Sequence, residues 1–139
     1  MSDLLADMSA HLPAMRAAAE SLMVDTIRFA EPGTETFDPN TGTYVTTPGA
    51  TIYEGPCKVQ VRSGSPRDVN VGEAEVVIDR LEIHVPYDAA YIPPSSVGEI
   101  TAVGDHSDPS LVGNRYRVLG THAATFKTAR RLPVELVTP

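Results

Sequence analysis

The sequence predicts a mainly β protein, a small, partly closed β-barrel or sandwich of six or more short antiparallel strands with an N-terminal helical arm. Three observations carry this. Apolar residues in the first two dozen positions recur at three- and four-residue steps, the spacing of a helix. After residue 24 the composition turns from Ala-rich to Gly, Pro, Thr and Val, and the apolar period drops to two. Turn-forming clusters then break the rest of the chain into short strand-like runs, as small barrels and sandwiches require. Residues 1–23 are the arm and residues 24–139 the barrel domain, with long connectors at 32–42, 63–74 and 104–114.

Leu4, Leu5, Met8, Leu12, Met15, Ala19 and Leu22 form the apolar stripe of the arm, and "AAAESLM" favours helix strongly. Pro13 interrupts the pattern, either kinking one helix or opening a second at its first turn. Ile27 and Phe29 then alternate with Thr26 and Arg28 as a first strand. Asp38, Pro39, Asn40 and Gly42 are dense turn chemistry and predict an acidic, polar hairpin tip. "TYVTT" and "ATIY" flank a Pro48-Gly49 turn.

In "YEGPCKVQVRS" (53–63), Gly55-Pro56 reads as strand entry. Cys57, Val59 and Val61 share the inward face, and Lys58, Gln60 and Arg62 the outward one. A polar connector follows, and its start, Ser63, Gly64, Ser65, Pro66, Arg67, Asp68, Val69 and Asn70, is the candidate channel or subunit-contact loop. Glu75–Tyr87 reads as the longest strand. Val76 and Ile78 lie on the opposite parity to Leu81, Ile83, Val85 and Tyr87, which predicts a bulge or bend near Asp79. His84 belongs to an outward row with Arg80 and Glu82. Runs at 98–104, 115–120 and 131–137 complete the set, and Pro133 marks the last as an edge strand or a strand start.

A chain of 139 residues is expected to be one domain and to bury roughly 68% of its unfolded surface without a staple. Its single cysteine excludes an intramolecular disulfide and gives no sign of secretion. No apolar run is long enough to span a bilayer, and no signal-peptide pattern opens the chain. The expectation is a soluble protein without a membrane partner, remaining in the cell that makes it.

The net charge of −7 is unevenly placed. Arg115, Arg117, Lys127, Arg130 and Arg131 stand against Glu135 alone in the last 25 residues, a net +4 and a candidate basic partner-contact patch. Residues 1–114 carry −11. So acidic a body argues against tight nucleic-acid binding, which needs clustered Lys and Arg.

Chemistry is thinly supplied. Cysteine catalysis would need Cys57 exposed, acidified and close to a histidine, whereas the alternation turns it inward. The histidines are His11, His84, His106 and His122. Only "GDHSD" clusters Asp105, His106 and Asp108 as a metal site would, without a second half, so it reads as a polar turn. There is no phosphate-cradling loop, and three Phe with no Trp make a poor base-stacking platform. The expectation is a protein without catalytic residues, cofactor or metal.

The order of these elements resembles that of the head–tail joining proteins of tailed bacteriophages, the head-closure or stopper family. The likeness runs from about Val24 to Val137. "DTIRF" precedes the turn "FDPNTG" and the polar strand "TYVTT". "ATIYEGPCKVQV" leads into the connector "SGSPRD". "EVVIDRLEIHVPYD" is followed by "IPPSSVGEI", and "NRYRVLGT" by the basic turn and closing strand "TARRLPVELV". The lead-in "MRAAAESLMVDT" resembles the helical start of some members.

The resemblance implies a structural virion protein of the neck, assembled in the host cytoplasm. It would form a homo-oligomeric ring below the portal, close the DNA channel after packaging and dock the tail. The partners implied are other copies of the chain, a portal or adaptor ring, and tail terminator or tail tube proteins, with packaged DNA passing through the lumen without tight binding. The alternatives are a neighbouring neck or tail-completion ring, or a small host β-barrel module that binds protein. An enzyme pairing Cys57 with His84 or His122 ranks last.

Overall fold

The structure is a computed structural model, and it describes residues 4–62, 69–71, 74–76, 80–121 and 123–137. One helix, α1 (Leu4–Ser21), precedes the strands β1 (Asp25–Ala30), β2 (Thr34–Asp38), β3 (Thr43–Thr47), β4 (Thr51–Arg62), β5 (Val69–Val71), β6 (Ala74–Val76), β7 (Arg80–Pro86), β8 (Val97–Ala102), β9 (Arg115–Val118) and β10 (Ala129–Leu136). Six of these close into an antiparallel barrel in the order β1-β4-β7-β10-β9-β8, with β8 pairing back onto β1. The predicted small barrel with a helical arm is therefore what the chain forms, and its closure is complete. β2 and β3 pair as a separate ribbon, and so do β5 and β6.

The period-two pattern builds the core directly. Ile27 and Phe29 of β1, Cys57 of β4, Ile83 and Val85 of β7, and Ile100 of β8 all point inward and are buried. Tyr116 and Val118 of β9 and Leu132 and Val134 of β10 complete the layer, and Ile92, from the segment between β7 and β8, joins it. Each large apolar side chain so buried contributes about 1.5–3 kcal/mol relative to exposure. A barrel of this size is filled by its own side chains, so the interior is a core and not a conduit.

Phe29 takes up so much of that interior that β8 must approach it through a glycine. A Cβ added at Gly98 would lie 2.6 Å from the Phe29 ring and 2.8 Å from the Ile27 side chain. At the foot of β1, the buried Asp25 carboxylate accepts hydrogen bonds from the Gly104 N–H at 3.0 Å and from the Ser107 hydroxyl. That ties the 104–114 connector to the barrel. The connector itself contains a 3₁₀ turn, Pro109–Leu111, capped by Asp108 through the Ser110 N–H.

Several sequence expectations are corrected. The longest strand is β4, and Gly55-Pro56 lies within it rather than at its entry. β4 pairs with β1 from Thr51 to Cys57 and with β7 only from Lys58 onward. Pro56 thus sits where the strand has a neighbour on one side alone, the kind of site where Pro is tolerated. Glu75–Tyr87 is not one strand. Val76 ends the β5–β6 ribbon and Arg80 opens the barrel strand, so the change of parity marks passage between two sheets. The bulge expected near Asp79 lies outside the described residues.

Pro133 is not on an edge, because the closed barrel has none. It pairs with Glu82 of β7, and its carbonyl accepts from the Leu119 N–H at 2.9 Å, just past the end of β9. The N–H that proline lacks faces that same side, so the bond it would return to the Leu119 carbonyl is absent and β9–β10 pairing begins only at Val134. The inward row of β4 ends before Val61, which is largely exposed. Pro13 lies inside a single helix and starts no second one.

Gly98→Ala is expected to destabilise the fold by about 1–3 kcal/mol, the range for forcing an extra methyl into a packed core. Glu54→Ala, on the exposed face of β4, should stay within about 0.5 kcal/mol. Denaturant unfolding of both variants checks this, and equal midpoints would show that the Phe29 approach is not tight.

Candidate functional site

Three outward surfaces hold several of the residues that sequence reasoning singled out, together with some that it missed. The first is the arm. α1 lies across the outer face of β7 and β10. Leu12, Arg16, Ala19 and Glu20 are half-buried along it, and Met23 just beyond it is buried. Arg16 makes the specific contacts: its Nε donates to the Lys127 carbonyl at 3.1 Å, and its guanidinium lies 3.8 Å above the centre of the Tyr87 ring. A cation over an aromatic face contributes about 0.5–1 kcal/mol where solvent reaches it. No sequence spacing signals this pair, since 71 positions separate the two residues.

At about 3.6 residues per turn, Leu4, Met8 and Met15 gather on a neighbouring stripe of the same helix, and Leu22 continues it just past the helix end. These four are between 44% and 70% exposed. The apolar arc of the arm is wider than the barrel covers. Its spacing was legible in the sequence, but which half the barrel takes was not.

Beneath the arm is a cleft of about 250 Å³, where Ala19, Leu22 and Met23 face Lys58, Gln60 and His84. Register aligns Lys58 of β4, His84 of β7 and Arg131 of β10 in one row. His84 does face outward, as its parity predicts, yet it is buried because the arm covers it. Its Nε2–H donates to Glu82 Oε2 at 3.1 Å. Burial lowers its pKa, Arg131 and Lys58 press the same way, and Glu82 opposes them.

The second surface is the β2–β3 ribbon. Asp38 shapes its tip as the sequence predicts: its carboxylate accepts from the Asn40 N–H and its carbonyl from the Gly42 N–H, each at 2.9 Å. Gly42, at φ +69°, supplies the left-handed position such a turn needs, and Pro39 lies at the tip beside it. Apart from half-buried Asp38, all residues of both strands are exposed. Phe37 and Tyr44 pair across the ribbon, edge to face at 5.4 Å, and are 53% and 70% exposed. Sequence reasoning missed this pair, although the two residues flank the turn symmetrically and so had to share a face.

The third surface is the basic set, and the fold divides it. Arg115 lines a cleft with Arg28, Glu31 and Glu99 at the base of the ribbon. Arg117 pairs with Glu135 across β9 and β10. Lys127 and Arg131 line a cleft of about 440 Å³ with Ala124, Phe126, Pro133 and Glu82. Arg130 falls on the inward parity of β10; its Nη1 donates to the Ala90 carbonyl at 3.5 Å, and its Nε is buried without a hydrogen-bond partner. In the candidate loop at 63–70, Ser63, Gly64, Ser65, Pro66, Arg67 and Asp68 lie outside the described residues. The Val69 and Asn70 backbone belongs to β5 and pairs with β6.

The one cysteine is fully buried, and burial with the nearby Asp25 carboxylate pushes its thiol up to about 12. At neutral pH Cys57 carries no thiolate. Among the described residues no group of three His, Cys, Asp or Glu side chains converges as a metal site.

Cys57→Val is expected to cost at most about 1 kcal/mol, being close to volume-conserving. Alkylation of the native thiol should be far slower than that of the unfolded chain, and rapid native labelling would contradict its burial. His84 generates a pH dependence. The unfolded chain holds it at its ordinary pKa of about 6.5, while the folded chain holds it lower. Protons therefore bind the unfolded chain first, so stability present above that pH falls as the pH drops through it. His84→Gln should flatten this part of a melting-temperature profile, and an unchanged profile would show that the covered position does not matter.

No curated protein and no solved structure matches the chain. A family of unknown function (DUF6093) matches residues 15–135, taking in the second half of α1, the six barrel strands and both ribbons. The chain belongs to this family of unknown function, DUF6093.

Proposed function

We propose that the protein is a structural connector of a tailed-phage neck, forming a ring below the portal that closes the DNA channel and docks the tail. The observation that carries this reading is the contrast between a barrel filled by its own side chains and the apolar surface displayed outside it. The Phe37/Tyr44 ribbon and the Leu4/Met8/Met15/Leu22 stripe are exposed in a single copy. Contiguous exposed apolar surface of this kind marks protein contact sites. The order of elements shared with the head–tail joining proteins supplies the particular assembly.

The charge supports the same reading. A body of net charge −7 repels a DNA duplex and leaves it free to slide. Because the barrel is filled, the conduit lies between copies and not through any one of them. No helix among the described residues is long and apolar enough to cross a membrane. The place proposed is the neck of the virion, reached after assembly in the host cytoplasm.

Electron microscopy of the purified protein mixed with portal rings tests this. The expected result is an added ring of density beneath the portal, with the same chain recovered from mature particles. Absence from both would sink the connector reading.

A further inference from the structure

We propose that the β2–β3 ribbon of one copy seats its Phe37/Tyr44 face in the Phe126–Lys127–Arg131 cleft beside β10 of the next copy. This deepens the ring-forming reading and rests on it.

The ribbon needs a partner. A two-stranded hairpin alone is marginal in water, and this one is exposed on both faces apart from half-buried Asp38. Its register puts Phe37, Tyr44, Glu35 and Thr46 on one face. The other face carries threonines with Val45 and Asp38, so the aromatic face is the one with large apolar area to bury. Gly49 sets the ribbon's base, where a Cβ would run into the Glu31 carbonyl at 2.0 Å, so the chain crosses tightly there and the ribbon projects from a pinched root.

The cleft complements that face in chemistry. Residues 29–57 include Glu31, Glu35, Asp38 and Glu54 and no Lys or Arg. The cleft carries Lys127 and Arg131, and its one acid, Glu82, is bonded to His84. Its apolar lining is Ala124, Phe126 and Pro133, and its volume of about 440 Å³ is within the range of sites that take a small ligand or an aromatic side chain.

Phe126 adds a separate signal. It holds a φ of +57°, a left-handed conformation that a bulky residue adopts at a cost of order 1–3 kcal/mol. The residue nevertheless remains 38% exposed. A strained backbone that presents an aromatic ring to solvent in a basic cleft fits a receptor for another aromatic group.

The placement selects a neighbour as the occupant. The ribbon leaves the barrel between β1 and β4, and β10 stands three strands from β1 in either direction. The two patches are on opposite sides of the molecule. A contact joining two different patches is head-to-tail, and repetition of such a contact generates a closed ring when the rotation allows.

Two variants of the full chain test the contact by sedimentation velocity. Phe37→Ala with Tyr44→Ala disables the ribbon at exposed positions. Phe126→Gly with Lys127→Glu disables the cleft and is compatible with the backbone, since glycine adopts that φ freely. Circular dichroism confirms that both keep the barrel. The expected result is wild-type rings, with self-association at least about 30-fold weaker in each variant, the scale of losing a hot-spot contact. An equimolar mixture of the two variants should form one-to-one dimers and nothing larger, because one good ribbon then meets one good cleft. A mixture that stays monomeric while the wild type forms rings overturns the ribbon–cleft contact and leaves the ring reading intact. Variants that assemble as well as the wild type overturn it too. A wild-type chain that is monomeric overturns self-docking, and the portal-binding experiment then decides the connector reading by itself.

Discussion

The pairing of β1 with β8 is the contact that turns a curled sheet into a barrel, and it is bought by a single missing side chain. Phe29 and Ile27 fill the middle of the interior, and β8 can lie beside them only because Gly98 has no Cβ. Closure leaves the six-stranded sheet without an edge, which protects the barrel itself from uncontrolled strand pairing. It also means that any contact with a partner must be made by something added to the outside. The arm, the β2–β3 ribbon and the loop before β10 are such additions, and they hold most of the large apolar side chains left exposed among the described residues.

Electrostatics separates the inside from the outside with equal clarity. Three of the ionisable groups drawn into the barrel or under the arm are a thiol, an imidazole and a hydrogen-bonded carboxylate. Cys57 stays a thiol, His84 is biased towards its neutral form, and the Asp25 side chain accepts from the Gly104 N–H and the Ser107 hydroxyl. On the outer wall the ribbon itself carries Glu35 and Asp38 and no base, Arg28 and Arg115 meet Glu31 and Glu99 at its root, and Lys127 and Arg131 stand at the start of β10. In the proposed ring the ribbon and the start of β10 would meet between copies.

The fold was largely legible from periodicity, and the errors have local causes. β1, β9 and β10 follow their alternation closely, since residues on opposite faces of a strand meet opposite environments. Gly55-Pro56 and Pro133 misled because proline punctuates most strands, and here each falls where a neighbouring strand is missing on one side. Glu75–Tyr87 misled because β-propensity does not report which sheet a strand joins. The candidate surfaces were less legible. The turn at Asp38 is written in its own residues, whereas the five basic residues looked like one patch only because they are close in sequence.

The sequence by itself determined the local chemistry: a helix that is apolar on one side, strands that are apolar on one face, an acidic turn, and a cysteine on the inward parity. These are short-range properties set by spacing and residue type. Tertiary structure alone decided that the barrel closes through Gly98, that the arm covers His84 while leaving Leu4, Met8, Met15 and Leu22 exposed, and that Glu82 joins Phe126, Lys127 and Arg131 in one cleft. Each of those depends on residues brought together from distant parts of the chain, and register and packing, which no local pattern encodes, determine which ones meet.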